Sequence, residues 1–183
     1  EIWCQLFSEP SAGSDVAGLR SKAVQDGENW IVNGQKVWTS GAHFSDFGIL
    51  VVRHDAGLEK HKGLTFFFVD MKSPGIEVKP IKQLTGGSSF NEVYFNDVVI
   101  PDSQRLGEIG DGWKVAITTL MNERLAVGDA DGVDANEAFE LAKKHDKDGE
   151  QLIDNNAVRE SIADWYCEAS GLKNTKLRTM SAL

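Results

Sequence analysis

The chain is poor in cysteine and proline, short of positive charge, and without a long apolar run. Its 183 residues include two cysteines, Cys4 and Cys167, four prolines, and 19 Lys and Arg against 28 Asp and Glu. Two thiols so far apart, with no CxxC, argue against a disulfide scaffold and point to reduced, buried thiols in an intracellular protein. The net charge of −9 and a pI near 4.9 argue against non-specific nucleic-acid binding, which needs a basic face. They leave room for a local basic pocket around an anionic ligand. No apolar stretch approaches the ~20 residues of a bilayer span, and no signal-peptide pattern opens the chain. The expected location is therefore intracellular: cytoplasmic, or the mitochondrial matrix in a eukaryote. No GxGxxG follows a strand and there is no GxxxxGKS, which removes the Rossmann and P-loop readings. His43, His54, His61 and His145 lack metal-ligand spacing, so no metal site is read. No G-x-S-x-G elbow supports a serine nucleophile.

What is present is strand-like first and helix-like later. Ile2–Phe7 reads as a strand, and Trp30–Val32, Asn33–Gly34 and Gln35–Trp38 read as a hairpin around a type I′ turn. Residues 48–53 and 64–69 are short continuous apolar runs, the pattern of strands buried on both faces. Pro74–Gly75 and Asn96–Asp97 read as turns flanking further strands. After Gly110-Asp111-Gly112 the period changes. Asp111 is placed to cap a helix whose Trp113, Ala116, Ile117, Leu120 and Met121 share one face. A polar, acidic stretch runs from Asp129 to Asp154. It contains a helical candidate at residues 135–144 and a loop at residues 145–149, and Val158, Ile162, Trp165, Tyr166 and Ala169 mark a last amphipathic helix. The expected fold class is α+β: an antiparallel β-barrel domain over residues 1–110, then helices of an incomplete bundle over 111–183. The chain starts on a strand and stops within a helix, so it is expected to be a piece of a longer protein.

Two segments carry chemistry. Ser8-Glu9-Pro10-Ser11-Ala12-Gly13-Ser14-Asp15 joins small residues to hydroxyls, which lets a backbone approach a large polar ligand; the plain alternative is a loop closed by Pro and Gly. Trp38-Thr39-Ser40 sets an indole beside two hydroxyls. That suits a planar heteroaromatic ring with a polar edge, or else an aromatic that caps the core at a strand end.

Taken together, these segments resemble the acyl-CoA dehydrogenase family. Residues 8–15 resemble its T-E-P-x-A-G-S-D signature, and residues 33–40 its N-G-x-K-x-W-x-[TS] strand. Residues 95–101 are similar to its F-x-D-V-x-V-P segment, and Gly110–Trp113 with Met121–Arg124 to the start of its C-terminal helical domain. The order and spacing hold through about residue 128. The resemblance implies the family's middle β-domain followed by the first helices of its C-terminal bundle, FAD as cofactor, and α,β-dehydrogenation of an acyl-CoA thioester. It places Gln5, Leu6, Phe7 and Ser8 along the flavin, with Ser8 on the isoalloxazine edge, and Gly13 and Ser14 on the phosphate and ribityl side. Trp38 would pack against the ring, with Thr39 beside it and Ser40 near N5. Ser14, His54, Met121 and Arg124 would contact the substrate, His54 near the CoA moiety unless it is a solvated strand-end residue. Glu123 would be the catalytic base if this chain follows the family's minority pattern; otherwise it is a helix carboxylate paired with Lys114 or Arg124, and the base lies downstream. Electron-transferring flavoprotein is the implied electron acceptor, and a homo-oligomer the implied assembly. Three features depart from the family pattern: Gln5 replaces an aromatic, Ser11 a common Gly, and His145–Gly149 stands where an FAD-binding R-x-x-F-G is expected. Two rival readings remain: an oxygen-using relative (an acyl-CoA oxidase or flavin monooxygenase), and an inactive binding domain.

Overall fold

The computed structural model describes residues 1–126, 134–147 and 149–182, with the side chains of 125, 126 and 147 outside the description. Residues 129–133 of the acidic stretch, Asp148 of the expected loop and Leu183 fall outside the described residues. The chain forms two compact units, Glu1–Leu120 and Met121–Leu183.

The first unit is one eight-stranded sheet. Its strands are β1 (Trp3–Leu6), β2 (Lys22–Asp26), β3 (Asn29–Ser40), β4 (Phe47–Arg53), β5 (Leu64–Asp70), β6 (Ile76–Ile81), β7 (Phe90–Pro101) and β8 (Arg105–Leu106). The ladder runs β6-β7-β3-β2-β4-β5-β8, with β1 on β4. The α+β class stands, but the barrel is corrected to an open, mixed sheet. The end strands β6 and β8 are not paired to each other, and β1 runs parallel to β4, as β2 does at its single contact with it.

β4 and β5 are buried on both faces, as their continuous apolar runs require. Leu50, Val52, Phe67 and Val69 enter a core with Leu6, Trp30, Val32, Val93 and Ile100. Val51, Leu64 and Phe66 face the other way, into a second core with Phe7, Val16, Ala17, Leu19 and Ala116. Each fully buried side chain of this size contributes about 1.5–3 kcal/mol. The second core is closed by the short 3₁₀ turn Val16–Gly18 and by the start of α1 (Gly112–Ala126), whose Trp113, Val115 and Leu120 pack against it. Gly112 permits this approach: a Cβ there would lie 2.5 Å from the backbone of Leu64 and Thr65.

The expected hairpin at Asn33–Gly34 is absent. β3 runs unbroken through it, and the turn before β3 is a two-residue loop after Asp26, in which Gly27 takes a φ of 60°. Asn33–Gly34 and Asn96–Asp97 instead meet as one kink in the β3–β7 pair. The register steps there from Val32↔Val98 to Gly34↔Phe95, so β7 carries an extra residue. The Asn33 amide donates to Asp97 Oδ1 at 2.8 Å, and the Asp97 N–H donates to Asn33 Oδ1 at 3.0 Å. Positive φ serves a bulge as readily as a turn, so the same residues mark both. Asp111 also differs from expectation. Its carboxylate turns back to accept from the Glu108 N–H at 3.2 Å rather than from the helix ahead.

In the second unit, α2 (Ala135–Lys144) is capped by Asp134 and Glu137 in a reciprocal capping box. The expected loop at residues 145–149 takes part in a minimal ribbon of β9 (Asp146–Lys147) and β10 (Glu150–Gln151). Asn155 caps α3 (Asn156–Ser181), in which no residue is buried. Cys4 is buried as expected, but Cys167 on α3 is exposed, and both are free thiols. Among the described residues no helix is long and apolar enough to cross a membrane, and no group of His, Cys, Asp and Glu could hold a metal ion.

Candidate functional site

The two motif segments meet on one rim of the sheet. The Val37 N–H donates to the Ser8 carbonyl at 2.9 Å, joining β3 to the small-residue loop that follows β1. One residue earlier, Lys36 Nζ donates to the Phe7 carbonyl at 3.1 Å and to Glu9 Oε1 at 2.8 Å. The loop is closed by paired hydrogen bonds between Glu9 and Ala12, of 2.8 and 3.0 Å, which leave Gly13 and Ser14 exposed just beyond. A Cβ added at Gly13 would meet nothing within 4 Å, so there is open space beside this backbone.

On β3 a second bulge shapes the facing side. The register steps from Lys36↔Val93 to Thr39↔Asn91, with the extra residue now on β3. Trp38 takes a φ of 60° there and is 59% exposed, its ring edge-on to Phe90 at 6.0 Å. Such a conformation is rare for a bulky residue and marks a strained position, which functional sites collect. Buried Asn91 holds the turn by donating to the Thr39 carbonyl at 2.9 Å, and Asn91 in turn meets His43 Nδ1 at 3.1 Å. Thr39 is buried, and its Oγ1 has no hydrogen-bond partner; Ser40 is exposed.

Gln5, Leu6, Phe7, Ser8, Gly13, Ser14, Trp38, Thr39 and Ser40 thus lie in one unit, and those of β1 and β3 are tied together through residues 7, 8, 36 and 37. The Leu6 and Phe7 side chains belong to the two cores, so both present main chain rather than side chain to a ligand. His54, directly after β4, is half-buried, with Nδ1 3.0 Å from Thr65 Oγ1. Burial and the neighbouring Arg53 lower its pKa despite Asp55. Met121, Glu123 and Arg124 lie in the second unit. Arg124 Nη1 donates to Met121 Sδ at 3.8 Å, and all three residues are exposed. Among the described residues no apolar enclosure surrounds Glu123, although a carboxylate base needs one to strengthen it.

The Lys36–Glu9 pair has no counterpart in the sequence reading. Lys36 is fully buried and Glu9 nearly so. Glu9 is the better compensated: besides Lys36, its carboxylate accepts from the Arg20 N–H at 2.6 Å and the Ser21 N–H at 3.0 Å. Burial pushes the Glu9 carboxyl up, but Lys36 and these donors outweigh it and hold it below its usual value. Burial takes Lys36 down to about 8 even with Glu9 beside it. The signal was a lysine in line with the inward-facing Trp30 and Val32 of the same strand.

Residues of this kind fit a flat, polar-edged cofactor. An exposed indole stands beside an orphaned hydroxyl, free space lies beside a glycine backbone, and two hydroxyl-bearing segments are held in fixed register. Fold and rim together define a class: a β-domain with an open, hydroxyl-bearing edge, continued by helices. The chain belongs to the acyl-CoA dehydrogenase family. Residues 4–98 match the acyl-CoA dehydrogenase middle domain and residues 110–183 the acyl-CoA dehydrogenase C-terminal domain. Acyl-CoA dehydrogenase FadE34 of Mycobacterium tuberculosis is 53% identical over 69% of this chain and 18% of its own length. Cyclohexane-1-carbonyl-CoA dehydrogenase of Syntrophus aciditrophicus is 33% identical over 99% of this chain and 52% of its own. Among solved structures, the ChsE4-ChsE5 complex from Mycobacterium tuberculosis matches with a TM-score of 0.78 and 32% identity, over 98% of this chain and 47% of that one. The chain therefore spans about half, or less, of the proteins it resembles.

Proposed function

We propose that the protein containing this chain is an FAD-dependent acyl-CoA dehydrogenase that converts an acyl-CoA thioester to its trans-2-enoyl form. The observation that carries this reading is the Val37–Ser8 hydrogen bond, which sets the serine- and glycine-bearing loop against the bulged tryptophan strand. In this reading Gln5, Leu6, Phe7 and Ser8 line the cofactor, Leu6 and Phe7 mainly through backbone. Gly13 and Ser14 take its phosphate side, and Trp38, Thr39 and Ser40 its ring. Bound FAD would supply the two-electron acceptor for the hydrogens lost from Cα and Cβ. The chain's own task is to bind, orient and exclude water. Ser8 and Ser40 offer hydroxyl donors to the ring edge, and Trp38 covers a face. Ser14, His54, Met121 and Arg124 hold the acyl-CoA. Glu123 takes the α-proton on a carboxylate oxygen, a role that needs an apolar cover over the exposed carboxylate. Electron-transferring flavoprotein receives the electrons, and the protein works as a homo-oligomer. The relatives' names include a cyclic acyl thioester, so the acyl group is not confined to straight-chain fatty acids.

Anaerobic addition of acyl-CoA to the yellow protein tests the reaction. Bleaching of the flavin absorption with slow recovery in air is the expected result, and rapid peroxide formation would move the protein to the oxidases. For the base, Glu123→Gln is expected to keep FAD and lower the rate by about 10²–10⁴-fold; an unchanged rate places the base elsewhere.

A further inference from the structure

We propose that Lys36 and Glu9 are a positioning pair: a buried ion pair that locks the Phe7–Ser8 backbone to β3 and so fixes the spacing between the two halves of the candidate cofactor rim. Three successive residues of the rim are held from this point. Lys36 Nζ takes the Phe7 carbonyl, the Val37 N–H takes the Ser8 carbonyl, and the Glu9 carboxylate takes Lys36 together with the amides of Arg20 and Ser21. Lys36 is also the last regularly paired residue before the bulge that turns Trp38 outward. One side chain therefore adjoins both the loop and the strand that would flank a ligand.

Stability alone does not account for the arrangement. A buried ion pair roughly breaks even against an apolar replacement of the same volume, because desolvation consumes the Coulombic gain. What an apolar pair lacks is direction. A methionine at position 36 fills space but leaves the Phe7 carbonyl without its donor and lets the loop slide against β3. The inference rests on the flavin reading only for its ligand. The locking of Phe7–Ser8 is a property of the protein itself, and the test separates the two.

The variants are Lys36→Met, Glu9→Gln and the double change, each compared with the unmodified protein by FAD titration, flavin absorption and residue-resolved amide exchange. Glu9→Gln keeps shape and acceptor, so it preserves folding where Lys36→Met strains it. In both single variants the Val37 amide is expected to exchange faster while the amides of Trp30–Val32 on the same strand keep their rates. FAD is expected to bind about tenfold more weakly in Lys36→Met, with a shifted absorption envelope, and less so in Glu9→Gln. Exchange that quickens uniformly along β3, or FAD affinity unchanged beside a local exchange effect, would overturn the proposal. An unmodified protein that takes up no FAD ends the flavin reading, and the exchange pattern then decides the positioning role by itself.

Discussion

Trp38 is a large aromatic held at a φ of 60°, with more than half of its surface in solvent. Neither feature helps folding: the left-handed conformation costs on the order of 1 kcal/mol, and the exposed indole recovers little by burial. Trp38→Gly relieves the backbone and removes the ring. Its melting temperature is expected to match or exceed that of the parent, while FAD binding weakens; a parallel loss of both would make the tryptophan structural. Lys36 gives a second residue-level prediction, in pH. Its folded value of about 8 lies below the 10.5 of the free side chain. Between those values the unfolded chain binds more protons, so this residue makes stability rise with pH across that window. Glu9 works at the other end. Its folded value is depressed below 4.5, so its contribution is present above that pH and is lost as pH falls through the folded value. Urea midpoints followed from pH 7 to 10.5 should show an upward contribution in the parent that Lys36→Met lacks, and identical slopes would refute it.

At the scale of elements, the β3–β7 pair organises the first unit. Two twelve-residue strands are paired through two bulges, one on each strand, the first fastened by Asn33 and Asp97 and the second turning Trp38 outward. Gly34 sits in the first bulge, where a Cβ would come within 2.6 Å of Ser21 Cα. Gly34→Ala must displace that backbone, and overpacking of this kind costs roughly 1–3 kcal/mol. Chemical denaturation should show a loss in that range, and a neutral result would mean that β2 yields easily. The same pair shows what the sequence could and could not disclose. Continuous apolar runs announced β4 and β5, because burial on both faces leaves no alternation to misread. Asn33–Gly34 announced a positive φ correctly, but that is a property of one residue, and whether the chain reverses there depends on whether a partner strand carries a matching kink. Asn96–Asp97 supplied it from some sixty residues away. The rim residues were legible as motifs, and Lys36 and Glu9 as letters within them, whereas the pairing of those two was not. A buried lysine is intelligible only once the glutamate that neutralises it is seen beside it, and that contact spans 27 positions.

At the scale of the whole molecule, the two units are in different states of completion. The first has two cores, and its rim is held by backbone and side-chain hydrogen bonds that leave the Thr39 hydroxyl unpartnered. The second is built on α3, a 26-residue helix with no buried residue, on which Trp165, Tyr166, Leu172, Leu177 and Met180 are all exposed. A helix of that length with such side chains gains little by folding against itself, since most helical stability in proteins comes from covering an apolar face. Met121, Glu123 and Arg124, the proposed substrate contacts and base, are exposed in the same unit. Removal of a thioester α-proton needs a strong base, and an apolar cover strengthens a carboxylate for that task. The proposed cofactor rim and the proposed base therefore make different demands on the rest of the protein: the residues of the rim lie within residues 1–120, and the proposed base requires added cover. The chain of 183 residues produced alone is thus expected to take up FAD weakly and to show little turnover, while a longer polypeptide that covers α1 and α3 binds tightly and reacts. Flavin titration and anaerobic reduction of both forms measure this directly. Robust dehydrogenation by the 183-residue chain alone would mean that the exposed Glu123 needs no cover, or that the base lies in the first unit.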